Sequence, residues 1–276
     1  MEYLRTFVLG LVQGLTEFLP VSSSGHLAVS SLLLENMGMG ADSLEPPLLL
    51  DILLHLGTLV AIVIYFRRDV GQALVGGGRA LAALPKGRLG EVLRGDEGAG
   101  LCLAVLLGTL PTGVLGLALK SSAAEIGLSP LRLGVSFLAC ALILAASRFV
   151  SRRNEPLGPR IALLVGFVQG IAVLPGISRS GATIAAATAL GLSPERAARF
   201  SFLLSLPAIL GATILEVDLA EITTQGLGPA YLLGALTAFV SGLFALKLLV
   251  MIVDRGKLWA FAPYVAAVGL ATMVFL

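Results

Sequence analysis

Charged residues are scarce in this chain. Asp, Glu, Lys and Arg make up 13% of its 276 residues, where a soluble domain carries about 25%. This scarcity excludes an ordinary water-facing surface. The hydrophobic fraction is 57% and the mean hydropathy +0.95, more apolar surface than a soluble core of this size hides. Lipid is therefore the expected solvent, and at roughly 20 residues per span the chain has room for about six to eight passes.

Other shortages narrow the reading. Cys102 and Cys140 are the only cysteines, and both sit in apolar runs. They are expected to be apolar-facing thiols, with neither a disulfide nor a metal pair between them. No A-x-A-like cleavage site follows the first apolar run, so a cleaved signal is not expected. The net charge of +2 gives no ground for a nucleic-acid partner, and none is expected.

Six segments are long and apolar enough to span: about 48–66, 100–119, 130–150, 197–215, 229–252 and 258–276. Two others are interrupted. Residues 4–35 break around Pro20-Val21-Ser22-Ser23-Ser24-Gly25, and residues 160–191 around Pro175-Gly176-Ile177-Ser178-Arg179-Ser180-Gly181. Non-helical backbone at membrane depth survives only where protein or water satisfies its polar groups. Both segments are therefore expected to be re-entrant helical hairpins. Ser193-Pro194-Glu195 has the signature of a helix start, and Pro207 is expected to kink the helix that follows.

Charge placement tests that topology. The 67–98 connector, expected to be flexible or loosely helical, holds Arg67, Arg68, Arg79, Lys86, Arg88 and Arg94. Arg148, Arg152, Arg153 and Arg160 precede the second broken segment; Arg196, Arg199, Arg255 and Lys257 follow it. The 36–47 and 216–228 loops lack Lys and Arg and carry Asp42, Glu45, Glu216, Asp218 and Glu221. With both hairpins re-entrant, every basic cluster falls on one face, the cytoplasmic one, and both termini lie outside.

The chain also repeats itself. Gly-Leu-Val-Gln-Gly-Leu from Gly10 returns as Gly-Phe-Val-Gln-Gly-Ile from Gly166, an offset of 156. At that offset Ser22, Ser24 and Gly25 match Ser178, Ser180 and Gly181. Leu19-Pro20 recurs one position out of step as Leu174-Pro175, and the stretch from Leu50 to Ala61 resembles that from Phe200 to Gly211. Three full spans separate the hairpins, so the second enters from the opposite face. The expected fold is an all-α integral membrane protein, six transmembrane helices plus two re-entrant hairpins in an inverted-topology repeat. It forms one membrane domain, 1–276: repeat one covers about 1–120, repeat two about 130–276. Such repeats bring broken helices together near the midplane.

Ionisable groups inside a membrane are costly and point to function. Gln13 and Glu17 are i,i+4 and share a helix face. Ser22, Ser23, Ser24 and His26 follow on the break and the next helix. In the second segment Arg179 lies among Ser178, Ser180 and Thr183 where a helix should begin, a place that presents N–H groups and a positive charge to an anion. Glu17 could equally be a structural partner of Arg179, His26 a structural histidine, and the serines plain helix caps. Asp51 and His55 are also i,i+4 and could be a metal pair or a polar lining. Taken together, a carboxylate, a histidine, hydroxyls and an arginine at helix starts suit phosphoryl chemistry.

The motifs carry a family resemblance. Q-G-L-T-E at Gln13–Glu17 resembles the (E/Q)-x-x-x-E motif of the undecaprenyl-pyrophosphate phosphatase family, the bacitracin-resistance type. P-G-I-S-R-S-G-A-T at Pro175–Thr183 resembles its P-G-x-S-R-S-x-x-T motif, and P-V-S-S-S-G-H at Pro20–His26 also fits. The resemblance covers essentially the whole chain. It implies an enzyme of the bacterial inner membrane that removes the terminal phosphate of undecaprenyl pyrophosphate, recycles the peptidoglycan lipid carrier and confers bacitracin resistance. It further implies a divalent cation, Mg2+ or Ca2+, and a site facing the periplasm. Glu17 would be a metal ligand or acid/base, and Arg179 would grip the pyrophosphate. Ser178 and Thr183 would bond its oxygens, with Gln13, Ser22, Ser24 and Ser180 lining the substrate site. Ser23 and His26 are both candidates for the nucleophile. Position 13 is Gln where many members have Glu, which leaves one carboxylate fewer for a metal.

Two rival protein classes share some of these features. Acid-phosphatase-like lipid phosphatases need a second histidine after the S-R motif; the chain has two histidines, neither downstream of Arg179. A polyprenyl-phosphate transporter or flippase would share the repeat architecture, alone or in addition to hydrolysis, but a pure carrier has no need of Glu17 and His26 beside an anion clamp. A homodimer packed through the glycine-rich 108–116 stretch is one use of those small residues; packing against the chain's own helices is the other.

Overall fold

The computed structural model describes residues 2–36, 48–150, 153–216 and 228–276. Within them the regular secondary structure is all helix. The first broken segment is α1 (Glu2–Phe18) and α2 (Ser23–Asn36), followed by α3 (Leu48–Tyr65), α4 (Arg67–Ala83), α5 (Leu89–Gly95) and α6 (Glu97–Ala118). Next come α7 (Lys120–Gly127) and α8 (Pro130–Ala146), then the second broken segment, α9 (Pro159–Ile171) and α10 (Arg179–Ala189). The chain ends in α11 (Pro194–Glu216), α12 (Pro229–Asp254) and α13 (Ala262–Phe275). Six helical stretches are long and apolar enough to cross a membrane, and they are the six expected from composition. The acidic loops expected at 36–47 and 216–228 fall mostly outside the described residues, as does Arg152.

Local chemistry sets the helix starts. Ser129 accepts the Arg132 N–H ahead of Pro130, and Ser193 accepts the Arg196 N–H ahead of Pro194, the Ser-Pro start expected at 193. Helix α11 runs on through Pro207. The outward stripe of α6 (Leu106, Leu110, Val114 and Leu117) is each more than half exposed. At helical spacing this makes an apolar face suited to lipid. Inside, Phe18 meets Phe202 edge-on at 5.8 Å, and Phe66 stacks on Phe202.

The 67–98 connector differs from expectation: it is well-formed helix, with α4 packed along α6. Gly76 allows this, since a Cβ there would collide with the backbone of Gly98 and Ala99. Asp96 caps α6 through the Ala99 N–H and takes Arg79 at 2.9 Å. The Arg79 hydrogen bond and the N–H donor hold its carboxyl below the usual carboxylate range. Arg199 at the start of α11 pairs with Asp69 of α4. Arg148 lies 5.0 Å above the ring of Trp259, which follows Lys257 by two positions in the chain. The basic segments thus contact one another in pairs.

The halves pack reciprocally. Helix α1 lies along α12, and α9 lies along α6, so each broken segment rests on a span from the other half. Glycine permits both approaches: a Cβ at Gly10 would strike the Gly234 carbonyl, and one at Gly166 the Gly108 carbonyl. Gly108 is therefore used against the chain's own α9, whereas Gly113 and Gly116 face open space. Thr112 ties the α6–α9 contact by donating to the Gly108 and Gly166 carbonyls. Gly166→Ala is expected to cost about 1–3 kcal/mol of stability by forcing these backbones apart. Thermal unfolding in detergent checks this, with Gly113→Ala as the unaffected control.

Candidate active site

The site forms where the two breaks meet. Helix α2 begins at Ser23 and α10 at Arg179, the same 156-residue offset that relates the repeats. Both helix starts border a small cavity of about 50 Å³, lined by Thr16, Glu17, Ser22, Ser23, Ser24, Ala172, Ile177, Ser178 and Arg179. Two helix N-termini at one cavity favour an anion there. A larger, open depression of about 490 Å³ lies between α4 and α6. Its arginine, Arg79, is already bound to Asp96, and no candidate reactive group lines it.

Glu17 is the hub. Arg179 Nη2 donates to its Oε1 at 2.5 Å. Ser23 Oγ donates to its Oε2 at 2.6 Å, and Gln13 Nε2 donates to the same oxygen at 3.2 Å. The ion pair is nearly buried, with side-chain exposures of 17% for Arg179 and 6% for Glu17. Two polar atoms beside it are buried without a partner among the described residues: Arg179 Nη1, a donor, and Gln13 Oε1, an acceptor. Such orphans each cost about 1–3 kcal/mol and suit a site completed by a ligand.

Ser22 interlocks the two breaks. Its φ of 72° lies in the left-handed region, strain of about 1–3 kcal/mol for a residue other than glycine. In that conformation its Oγ accepts the Gly25 N–H and, across the repeat, the Gly176 N–H. Its carbonyl accepts the His26 N–H and faces His26 Nδ1 at 2.8 Å. Ser178 repeats the cap by accepting the Gly181 N–H, and its own N–H is held by Cys140 Sγ.

The predicted site residues thus fall into two groups. Glu17, Ser22, Ser23, Ser24, Ser178 and Arg179 surround the cavity. Gln13 sits one turn behind Glu17. Ser180 Oγ donates to the Phe18 carbonyl, and Thr183 is bonded to the Arg179 carbonyl and to Ser201. Both hydroxyls brace α10 rather than line the cavity. The recorded partner of Ser23 is Glu17, and that of His26 Nε2 is the Tyr264 hydroxyl at 2.9 Å; the two nucleophile candidates do not form a pair. His55 Nδ1 lies 3.5 Å from Asp51 Oδ2. Among the described residues no three His, Cys, Asp or Glu gather as a metal cluster.

Tyr264, Cys140 and Ser201 were not visible as site residues in the sequence. Each sits in an ordinary apolar span, and a tyrosine near a span's end is what any membrane interface attracts.

Fold and site together define a multi-pass helical membrane protein with a charged cavity between two broken helical segments. Residues 6–271 match the family described as bacitracin resistance protein BacA, and the chain belongs to that family. It is similar to the undecaprenyl-diphosphatase of Desulfatibacillum aliphaticivorans, 45% identical over 280 aligned residues and 99% of each chain. That of Desulfosudis oleivorans is 44% identical over 281, covering 99% of this chain and 98% of the relative. That of Korarchaeum cryptofilum is 41% identical over 276, the whole of both.

Proposed function

We propose that this chain is an undecaprenyl-diphosphatase, hydrolysing undecaprenyl pyrophosphate to undecaprenyl phosphate and inorganic phosphate. Such an activity recycles the cell-wall lipid carrier and confers bacitracin resistance. The observation that carries the reading is the cluster of Glu17, Ser23 and Arg179 at two converging helix starts, inside a chain akin to named undecaprenyl-diphosphatases over its full length.

In this reading the terminal phosphoryl group displaces Glu17 from Arg179 and occupies the guanidinium, Nη1 included. The N–H groups opening α2 and α10 take its remaining oxygens. Ser23 is the hydroxyl set on a carboxylate. Its Oγ attacks the terminal phosphorus as its proton passes to Glu17. The phosphorus–oxygen bond to undecaprenyl phosphate breaks, and water then releases phosphate from the serine. His26 is the other nucleophile candidate, and its ring faces Tyr264 instead.

A divalent cation fits the donors. Glu17 and the orphaned Gln13 Oε1 are hard oxygen ligands, and one or two protein oxygens plus substrate phosphates are a usual Mg2+ set. Bound there, the ion would supply positive charge to offset that of the phosphate oxygens.

The same reading makes 1–276 one membrane domain with two re-entrant hairpins in inverted repeat, set in the bacterial inner membrane. Reciprocal packing of α1 on α12 and α9 on α6 supports the repeat. The pairwise contacts of the basic segments support a common cytoplasmic end, which leaves the cavity opening to the periplasm. The open Gly113–Gly116 face of α6 offers a surface for a homodimer.

The test is phosphate release from undecaprenyl pyrophosphate by purified protein in detergent. Release is expected with Mg2+ or Ca2+ and is expected to stop when the ion is chelated. Uptake of prenyl phosphate into liposomes without any release would make the chain a carrier instead.

A further inference from the structure

We propose that Tyr264 is a positioning residue for the hydrolysis, holding the His26 imidazole by its Nε2 atom. The assignment rests on the undecaprenyl-diphosphatase reading and on its other nucleophile candidate, in which His26 in place of Ser23 acts on the terminal phosphorus.

The hydrogen bonds fix the ring's tautomer. His26 Nδ1 lies 2.8 Å from the Ser22 carbonyl oxygen. A carbonyl only accepts, so Nδ1 carries the hydrogen. In the neutral ring the lone pair is then on Nε2, the atom 2.9 Å from the Tyr264 hydroxyl. The phenol donates to that lone pair. Should Nε2 take a proton, the same phenolic oxygen can accept from it, because a hydroxyl serves both roles. One geometry therefore holds the ring in either state.

The ring plane is set as firmly as its edge. Tyr264 stacks on His26 at 5.8 Å and 10°, while Phe137 meets it edge-on at 5.4 Å and 89°. Phe137 is fully buried on α8, and α8 packs along α13, the helix that carries Tyr264. Three separate elements thus converge on one imidazole: the left-handed Ser22, α8 and α13. Simple burial does not account for the Tyr264 bond, since the residue is 50% exposed and its hydroxyl has no need of a protein partner. Which nitrogen of a working histidine is free is decided by what its other nitrogen touches. Here one contact is the carbonyl of Ser22, a residue of the cavity lining, and the other is Tyr264, which lies outside that lining.

Tyr264→Phe keeps the stacked ring and removes only the hydroxyl. The expected result is a kcat lower by about tenfold, with KM changed by less than about twofold. A spectroscopic readout separates this from a loss of fold. With 15N-labelled histidine only His26 and His55 contribute signals, and a His55→Asn variant assigns them. In Tyr264→Phe the His26 Nε2 resonance should move to that of a nitrogen with a free lone pair, while the His55 signals stay in place. An unchanged or raised kcat, a loss carried by KM, or an unmoved Nε2 resonance each overturns the proposal. His26→Asn is measured alongside. Wild-type turnover in that variant removes His26 from the site and the role of Tyr264 with it. An inactive His26→Asn beside a fully active Tyr264→Phe overturns the Tyr264 role alone.

Discussion

Arg179→Ala is expected to lower phosphate release by about 10³-fold, the scale seen when a fixed donor is removed from developing phosphoryl charge. Two properties of the side chain support a loss this large. Nη2 is held by Glu17 while Nη1 is buried and free of any described partner, so half of the guanidinium is already set aside. The residue also opens α10, where the helix dipole adds to its charge. Arg179→Lys should recover little, because an ammonium cannot make the planar two-point contact. The variant has a structural consequence that must be separated from the chemical one. Removing Arg179 leaves the Glu17 carboxylate buried without its ion pair, at a cost of about 3–5 kcal/mol. The double variant Glu17→Gln/Arg179→Ala relieves that cost. It should regain thermal stability in detergent and remain inactive. Activity within about twofold of wild type in Arg179→Ala would reduce the pair to a structural tie.

Glu17→Gln should lower kcat by about 10²–10³-fold, the range for losing a general base. The change is nearly isosteric, and Ser23 still finds a carbonyl oxygen to bond. What disappears is the charge, and with it the proposed acceptor for the Ser23 proton and the carboxylate that binds Gln13. A higher Mg2+ or Ca2+ concentration should therefore be needed for half-maximal rate. Titrating the ion against phosphate release in both proteins checks this. A Glu17→Gln protein that melts earlier yet turns over at the wild-type rate below its melting point would show that Glu17 only anchors Arg179.

Much of this site could be seen in advance because its signal is local. A Glu, a His, an Arg and a run of serines inside apolar segments conflict with lipid at once. The breaks announce themselves through Pro, Gly and Ser within a few residues. The tasks of individual hydroxyls were less legible. Ser22, Ser180 and Thr183 share the chemistry of Ser23, yet their oxygens serve backbone groups or Ser201. Which hydroxyl faces the cavity depends on helix rotation, and rotation is set by packing. The 67–98 connector hid its helices for a similar reason. Its glycines read as flexible, although Gly76 is the close contact that seats α4 on α6.

Composition and period by themselves determined the membrane solvent, the six spans and the two broken segments. These follow from what each stretch of chain can tolerate as its own surroundings. Only the tertiary structure decided that Glu17 meets Arg179, 162 positions away, and that His26 meets Tyr264, 238 positions away. Those meetings depend on how closely backbones approach at Gly10, Gly108 and Gly166, and on the turn taken at Ser22. No local pattern encodes such distances, because they are properties of helices packed against one another.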